Sequence, residues 1–296
     1  MISVAIPLYN KQNSISSTLQ CVLQQSFKDF EIIVIDDGST DNSILKVKEF
    51  EDKRIRLIQK KNGGVSSARN RAIEEAKYNY IAFLDADDYW EPSYLEEQAK
   101  LIHDFPMAYM WGCAWGVLNN SNKQKVNHSL PEGFRGLITD FWEIKRTTNI
   151  FCASAVVIKK DAFSVTGNFD ERICYAEDLD MWYRIILNFP VVFYNNTLAY
   201  YTMDSENRAM NKNRPLSAIL PYYIEKYKDD RAGNISFRRF IDRFSLAVLY
   251  PYYLKNKKDK DVKRILDQID FSCQPFSKRL QFRFPHLFKF WLNLKK

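Results

Sequence analysis

The chain has few of the residues that build metal-binding or disulfide-linked proteins. It contains only three histidines, and its five cysteines form no CxxC pair. A zinc ribbon, a histidine-rich metal site and a disulfide framework are therefore excluded, whereas a metal site made of carboxylates is not. A reducing compartment is the simplest setting for such cysteine usage.

Long apolar stretches are also missing. The longest uncharged segments, 105–122 and 185–203, both contain proline, and asparagines interrupt the second. Neither predicts a membrane span, which needs about 20 mostly apolar residues. The first residues lack the basic segment of a signal peptide, so we expect a cytosolic protein. With 296 residues, 46% hydrophobic and 27% charged, the chain is typical of a globular protein of about two domains.

Charge is distributed unevenly along the chain. Residues 231–296 hold 16 basic and 5 acidic residues, whereas residues 1–230 hold 27 and 31. A slightly acidic body therefore carries a strongly basic end. This asymmetry indicates an anionic partner, either nucleic acid or membrane lipid.

The first hundred residues alternate between apolar runs and helix-like patterns. The runs predict strands and the intervening segments predict helices; the strands are 2–8, 30–35, 54–59 and 80–84, and the helices are 13–25, 42–50, 66–77 and a segment after Pro92. Continuous apolar strands that alternate with helices indicate a parallel sheet covered on both faces.

The pattern changes after residue 105. Strand-like runs at 108–118, 153–158 and 191–201, with a helix at 178–187, predict a mixed second half built onto the same sheet. Proline-broken helical patterns fill the end of the chain. We therefore expect a domain over 1–210, made of halves 1–105 and 106–210, followed by a helical extension over 211–296.

Polar clusters follow the predicted strands, at Tyr9-Asn10, Asp36-Asp37, 62–64 and 85–88. Because ligands of open α/β sheets bind beyond the carboxyl ends of the strands, these clusters should meet along one edge. Tyr9 offers a flat face for a nucleotide base, although an ordinary half-exposed aromatic residue fits as well. The carboxylates of Asp36 and Asp37 can accept hydrogen bonds from base N–H groups and ribose hydroxyls. The alternative is that these residues simply form a turn.

Asp85, Asp87 and Asp88 place three carboxylates within four residues. They would repel one another unless a cation or hydrogen-bond donors offset them. Mg²⁺ and Mn²⁺ are bound in this way, with one or two carboxylates and phosphate oxygens as ligands. The alternative is a solvated acidic turn before a helix.

Several segments, taken together, resemble the family-2 glycosyltransferases. They are Ile-Pro-Leu-Tyr-Asn at 6–10, Asp-Asp-Gly-Ser-Thr-Asp at 36–41, Asn-Gly-Gly-Val-Ser-Ser-Ala-Arg-Asn at 62–70 and Phe-Leu-Asp-Ala-Asp-Asp at 83–88. Their order and spacing match the family over about residues 1–205. Each segment alone is unspecific, but the set is highly specific.

The resemblance implies the α/β fold called GT-A, with a mostly parallel central sheet flanked by helices and, here, a helical C-terminal extension. Residues 1–105 would bind the nucleotide sugar and residues 106–210 the acceptor. The implied roles are base contact for Pro7, Tyr9 and Asp37, ribose contact for Asp85, a place near the nucleotide for Arg69, and binding of Mg²⁺ or Mn²⁺ for Asp87. Asn10, Asp36 and Asp88 would support them, and the donor would be UDP-linked.

The resemblance also implies a general base. Inverting transfer needs one carboxylate to accept the acceptor hydroxyl proton, and a cation can carry the charge of the leaving diphosphate. The family's base lies in an acidic pair after a segment like Gly-Asn-Phe-Asp-Glu at 167–171, which makes Asp178 the base, with Glu177 and Asp180 in support. From pattern alone, these residues could instead be caps of a helix.

Two further features bear on the substrate. The QxxRW segment of processive synthases is missing after the base, so we expect transfer of one sugar to an acceptor, which would be a lipid-linked glycan of a surface polysaccharide such as O-antigen or capsule. Arg208, in the polar loop 204–208, could offset the charge of the leaving group. A plain solvated loop is the alternative.

The basic end interleaves cations with apolar residues at helical spacing. The apolar positions are Phe237, Phe240, Ile241 and Phe244, and later Phe276, Leu280, Phe284, Leu287, Phe288 and Trp291. Such a stripe forms either a packing face or a helix that lies on an anionic membrane. No nucleic-acid motif accompanies it, so we expect a peripheral protein at the inner face of the plasma membrane that binds no nucleic acid.

Two other functions stay open at this point. A nucleotidyltransferase also uses carboxylates and Mg²⁺ at strand ends, although the glycine-rich basic loop expected after its first strand is missing. A non-catalytic module that binds nucleotide sugar or membrane is the other alternative, and the complete set of carboxylates argues against it.

Overall fold

The computed structural model describes residues 1–120, 122–128, 130–144, 150–206 and 214–283. The chain divides into two units, Met1–Asn213 and Arg214–Lys296. The first unit contains a ten-stranded sheet. The second unit is helical within its described residues.

Apolar runs of the first hundred residues form the parallel part of the sheet. Strands β1 (Ile2–Leu8), β2 (Phe30–Asp36), β3 (Ile55–Gln59) and β4 (Tyr80–Phe83) lie in the order β3-β2-β1-β4, and all three ladders are parallel. Every residue of β2 is buried. Because successive side chains point to opposite faces, both faces of this strand are covered.

Four helices connect these strands and follow the last one. They are α1 (Ile15–Leu23), α2 (Ser43–Lys48), α3 (Val65–Glu75) and α4 (Tyr94–Asp104). The alternation predicted from the sequence is confirmed, and the ends of α1, α2 and α3 lie within two residues of the predicted ones. Pro92 precedes α4 and does not occupy its first turn, since Ser93 is the N-cap.

The rest of the first unit adds strands of both directions. Its elements are β5 (Tyr89–Trp90), β6 (Met110–Asn119), β7 (Asn122–Lys125), β8 (Arg135–Leu137), α5 (Phe141–Ile144), β9 (Val156–Lys159), α6 (Ala162–Thr166), α7 (Glu177–Asn188) and β10 (Val191–Thr202). β9 lies between β4 and β6 and pairs with both in antiparallel ladders. The two longest ladders, β1–β2 and β6–β10, are parallel.

Aromatic packing fixes helix α7 against the end of β4. Phe83, the last residue of β4, contacts Phe169 edge to face at 5.5 Å and Trp182 of α7 at 6.3 Å between ring centroids. Phe169 also meets Trp182 edge to face at 5.9 Å. Such ring geometries are favourable beyond simple area burial. The start of α7 is therefore held beside the acidic segment that follows β4.

The second unit packs around a long helix. Helices α8 (Lys228–Gly233), α9 (Ile235–Lys255), α10 (Lys260–Asp267) and α11 (Phe276–Arg283) form its described part. Phe237, Phe240 and Ile241 of α9 are buried. This stripe is a packing face, which is the alternative that the sequence left open.

The remainder of the predicted membrane stripe is divided. Phe276 is 73% exposed, whereas Phe284, Leu287, Phe288 and Trp291 lie outside the described residues. Across the part of the chain that the structure describes, no helix combines the length and apolar character needed to span a bilayer.

Candidate active site

The carboxyl ends of β1, β2 and β4 bring the polar clusters to one edge of the sheet. Asp37 N–H donates to the Leu8 carbonyl at 2.8 Å, so the ends of β1 and β2 are side by side. Lys11 Nζ reaches Asp87 Oδ2 at 2.6 Å, which joins the loop after β1 to the loop after β4. The edge expected from the sequence is confirmed, and we refer to it as the strand-end edge.

The Asp37 carboxylate is held by three donors. Lys60 Nζ and Gly63 N–H reach its Oδ1 at 2.6 and 3.0 Å, and Gly64 N–H reaches its Oδ2 at 2.7 Å. Gly64 has φ 91°, a conformation that favours glycine, and it caps α3. The loop 62–64 therefore orients Asp37. Lys60 was not a sequence candidate; its place just before that loop was the available signal.

Asp36 and Asn10 shape the loops around Asp37. Asp36 is 1% exposed, and its carboxylate accepts a hydrogen bond from the N–H of Ser39, three residues further along the chain. Asn10 has φ 52°, its N–H donates to Ser39 Oγ at 3.0 Å, and its Oδ1 accepts from Thr40 N–H at 2.8 Å. Both residues thus fix the backbone at the strand-end edge.

Pro7 and Tyr9 flank the last residue of β1. Pro7 lies within the strand, opposite Ile35 of β2, and is half-buried. Tyr9 is 37% exposed, the most exposed of the predicted donor residues in the first loop. An exposed aromatic ring at this edge has the surface that stacking on a base requires.

Asp88 points into the protein and not to the strand-end edge. It is 2% exposed, and it accepts from Ser154 Oγ at 2.5 Å and Thr202 N–H at 2.9 Å. Burial, reinforced by the charges of Asp87 and Asp85, raises the pKa of Asp88 well above its ordinary value. Asp88 therefore connects the end of β4 with β10, and its supporting role beside the ligand stays a prediction.

Asp87 faces a lysine. Its Oδ2 accepts from Lys11 Nζ at 2.6 Å and from Ser205 Oγ at 2.5 Å. Within the described residues, no group of three or more His, Cys, Asp and Glu side chains is arranged to hold a metal ion. Magnesium commonly takes one or two carboxylates and completes its shell with phosphate and water. Asp87 fits that pattern as a single protein ligand.

The segment after β10 lies against the loop after β1. Lys11 Nζ donates to the Glu206 carbonyl at 2.5 Å, and Glu206 Oε1 accepts from Asn13 N–H at 2.9 Å. Ser205 contacts Asp87, as described above. Neither Ser205 nor Lys11 was a sequence candidate, although Lys11 directly follows the Tyr9-Asn10 pair. The predicted Arg208 lies outside the described residues.

Arg69 of α3 bridges two carboxylates. Its Nη2 donates to Asp85 Oδ1 at 2.8 Å and its Nη1 to Glu177 Oε1 at 3.0 Å, while the residue is only 2% exposed. Burial alone would lower the pKa of Arg69, but the charges of Asp85, Glu177 and Asp178 outweigh it and raise that pKa. Asp85 remains partly open, with a side chain 29% exposed.

The first turn of α7 carries the candidate base. Ala176, its N-cap, has φ 62°. Asp178 is half-buried, and its Oδ1 accepts from Leu179 N–H at 2.8 Å. Burial and the Asp178 charge raise the pKa of the neighbouring Glu177, although Arg69 opposes the shift. Asp178 thus lies next to Glu177, which is bound to Arg69. Arg69 in turn also binds Asp85.

Asp180 lies on a different face of α7. It is fully buried and pairs with Arg184 at 2.9 Å. The Arg184 guanidinium also donates to backbone carbonyls of Thr166, Gly167 and Asn168. Asp180 therefore stabilises the connection between α6 and α7, and its supporting role near the base stays a prediction.

The chain matches known proteins over this part of the structure. The sequence model of Glycosyl transferase family 2 covers residues 3–164. A UDP-Glc:alpha-D-GlcNAc-diphosphoundecaprenol beta-1,3-glucosyltransferase of Escherichia coli, WfgD, is 37% identical over 63% of this chain and 70% of its own length. The amylovoran biosynthesis glycosyltransferase AmsB of Erwinia amylovora is 28% identical over 90% of this chain and 96% of its own.

A solved structure has a similar fold. The crystal structure of S. aureus TarS 1-349 in complex with UDP-GlcNAc superposes with a TM-score of 0.64 at 19% identity, over 95% of this chain and 73% of that one. With a family match that spans more than half of the chain and the strand-end edge described above, the chain belongs to glycosyltransferase family 2 and is a glycosyltransferase with the GT-A fold.

Proposed function

We propose that this enzyme is an inverting, metal-dependent transferase that moves one sugar from a UDP-sugar to a lipid-linked glycan acceptor of a surface polysaccharide. The observation that carries the proposal is the Arg69 bridge, which connects Asp85 on the donor side with Glu177, the neighbour of the candidate base. A donor and an acceptor hydroxyl could therefore meet beside one charge network. We further propose 1–210 as the catalytic domain and 211–296 as its extension.

Three residues at the strand-end edge lie in positions suited to binding the donor nucleotide. The Tyr9 ring is exposed for stacking. The Asp37 carboxylate, oriented by Lys60 and the loop 62–64, can accept a hydrogen bond from an N–H group of the nucleotide base. The Asp85 side chain stays partly exposed beside Arg69 and can accept a hydrogen bond from a ribose hydroxyl. Carboxylates fixed in advance by such donors lose little entropy when the ligand binds.

Asp87 would hold the divalent cation, Mg²⁺ or Mn²⁺. When bound, that ion would offset the negative charge of the leaving diphosphate. No second acid is then required, in contrast to the two carboxylates of glycosidases.

Asp178 would act as the base. Its carboxylate takes the proton of the acceptor hydroxyl as that oxygen bonds to the anomeric carbon, while the bond from this carbon to the diphosphate oxygen breaks on the opposite face. One such displacement inverts the anomeric configuration. Arg69, which neutralises the adjacent Glu177, limits the repulsion that Asp178 experiences when ionised.

The relatives support the substrate classes. WfgD is named for UDP-Glc and a diphosphoundecaprenol-linked acceptor, and the TarS crystal holds UDP-GlcNAc. A lipid-linked acceptor would lie at a membrane, and exposed lysines of α9, α10 and their connection could attract an anionic surface. We therefore propose a peripheral location at the inner membrane face. Family membership sets aside the nucleotidyltransferase and the non-catalytic module.

A binding panel tests the proposal. Thermal shifts would be measured with UDP, GDP, dTDP and CMP, each with Mn²⁺ and with EDTA, on the native protein and on Asp87→Ala. We expect UDP with Mn²⁺ to stabilise the native protein most, and Asp87→Ala to lose the part that depends on Mn²⁺. Equal stabilisation by UDP in EDTA would contradict metal dependence, and a preference for another nucleotide would contradict the UDP assignment.

A further inference from the structure

Lys11 and Asp87 form an ion pair at the place where the proposed function requires a metal. The Lys11–Asp87 contact is 2.6 Å, and the two side chains are only 12% and 13% exposed. Ser205 Oγ donates to the same oxygen, Oδ2. Lys11 is further held by the Glu206 carbonyl. The pair is therefore a nearly buried contact with further hydrogen bonds to both side chains, unlike the exposed pairs of Lys46 and Lys100.

A divalent cation at Asp87 would compete with this lysine. The cation needs a carboxylate oxygen of Asp87, and an ammonium group a few ångströms away would repel it strongly in a poorly solvated site. Lys11 must then give up part of its contact with Asp87. A lysine side chain is a flexible stem with three donors, so it can swing to a new anion if one is near.

The donor supplies such an anion. A nucleoside diphosphate carries phosphate oxygens that the cation at Asp87 would also bind. These oxygens would therefore lie within reach of the ammonium group that contacts Asp87 now. A free divalent cation brings no anion of this kind, so it would enter against the charge of Lys11 without compensation.

We propose that Lys11 is an exchangeable counter-ion of Asp87. While the donor is absent, Lys11 stays paired with the Asp87 carboxylate and so weakens the binding of a free divalent cation. When cation and donor bind together, Lys11 moves to the diphosphate. Lys11 is thus a diphosphate-binding residue as well as a positioning residue for Asp87. The proposal rests on the proposed function, since it assumes a diphosphate donor.

The exchange makes two opposite predictions for Lys11→Met, which keeps the length of the side chain and removes its charge. Mn²⁺ alone should bind about tenfold more tightly, because its competitor is gone. UDP at saturating Mn²⁺ should bind about tenfold more weakly, because one phosphate contact is lost. A residue that merely stabilised the fold would not move these two affinities in opposite directions.

The experiment uses the full chain. Free Mn²⁺ would be counted by electron paramagnetic resonance during titration of the protein, and UDP binding would be measured by calorimetry. Lys46→Met is the matched control, since it removes the same charge from an exposed lysine of α2 that pairs with Glu49. Both affinities should then stay within about twofold of the native values. Lys11→Gln provides a second variant should Lys11→Met unfold, and the thermal midpoint verifies folding.

Two results would overturn the exchange. One is an unchanged or weaker affinity of Lys11→Met and Lys11→Gln for Mn²⁺ alone, and the other is an unchanged affinity for UDP with Mn²⁺. A failure of the proposed function itself looks different: the native protein would then bind UDP equally well with and without Mn²⁺.

Discussion

Arg69, on helix α3, donates a hydrogen bond of 3.0 Å to Glu177, the first residue of α7 and 108 positions further along the chain. The side chains are 3% and 14% exposed. The contact therefore joins a buried positive charge to a largely buried carboxylate on a distant segment of the chain. Removal of one partner from such a pair costs far more than removal of a surface pair.

Arg69→Met should lower the free energy of unfolding by about 3–5 kcal/mol, because Glu177 and Asp85 then lose their shared cation. Urea denaturation would measure the change. Arg71→Met on the same helix is the control: Arg71 is 45% exposed in its pair with Glu75, so its loss should cost less than about 1 kcal/mol. Similar losses in both variants would show that the Arg69 bridge contributes no more than a surface pair.

Asp178→Asn should keep the affinity for the donor and reduce transfer by a factor of about 10² or more, because the amide has the same shape but no basicity. Single-turnover transfer and UDP calorimetry would separate the two effects. Full transfer by this variant would eliminate Asp178 as the base.

Asp180→Asn is the matched comparison two residues away. It leaves Arg184 without its carboxylate partner, so we expect an unfolding free energy lower by about 3 kcal/mol. Below the shifted melting temperature, transfer should stay within about threefold of the native rate. A catalytic loss like that of Asp178→Asn, without loss of stability, would reverse the two assignments.

His128 should make the fold sensitive to mild acid. Burial lowers the pKa of His128, although its hydrogen bond to the Trp115 backbone partly opposes the shift. The unfolded chain therefore binds a proton at a higher pH than the native state does, so stability is complete above about pH 6.5 and falls as the pH drops below it.

Between pH 7.5 and 5.5, the native protein should lose up to about 1.4 kcal/mol more than His128→Gln, which has no titrating group at this position. All other titrations are common to both proteins, so the difference isolates His128. Parallel pH profiles would mean that His128 is protonated equally well in the folded and unfolded states.

The exposed lysines of the second unit should govern attachment to anionic membranes. The variant replaces five lysines by glutamine: Lys255, Lys257, Lys258, Lys260 and Lys263. Each lysine near an anionic bilayer contributes on the order of 1 kcal/mol, so vesicle binding at low salt should weaken at least about tenfold. Flotation with phosphatidylserine vesicles would measure it, and UDP binding should not change. Unaltered flotation would exclude these lysines from the membrane contact.

The sequence predicted the fold best where the burial of a strand and the way it is connected to the next strand permit only one arrangement. Mostly apolar strands such as β2 must be covered on both faces, and their parallel order brings Asp37 and Asp85 to one edge. Short strands such as β5 carry too few residues to show a period. β5 forms because it pairs with β10, and the local sequence does not predict that contact.

Partners of charged side chains were beyond the reach of pattern. Asp87 was a candidate because of its motif, but its contact with Lys11 depends on loops 76 positions apart. Asp178 and Asp180 look equivalent in sequence, yet the helical rotation between them sends Asp180 to Arg184 and into the protein. The apolar stripe of α9 was likewise ambiguous, because a packing face and a membrane face have the same spacing.

Ala176 limits how freely this enzyme can vary in sequence. Its φ of 62° is a conformation that costs an L-residue with a Cβ atom about 1–2 kcal/mol. The direction in which the chain enters α7, and with it the orientation of Glu177 and Asp178, depends on that backbone angle. Glycine or asparagine can adopt it readily, whereas a β-branched residue would bend the first turn away. Divergence at this position is thus restricted by backbone geometry, even though the alanine side chain carries no chemistry of its own.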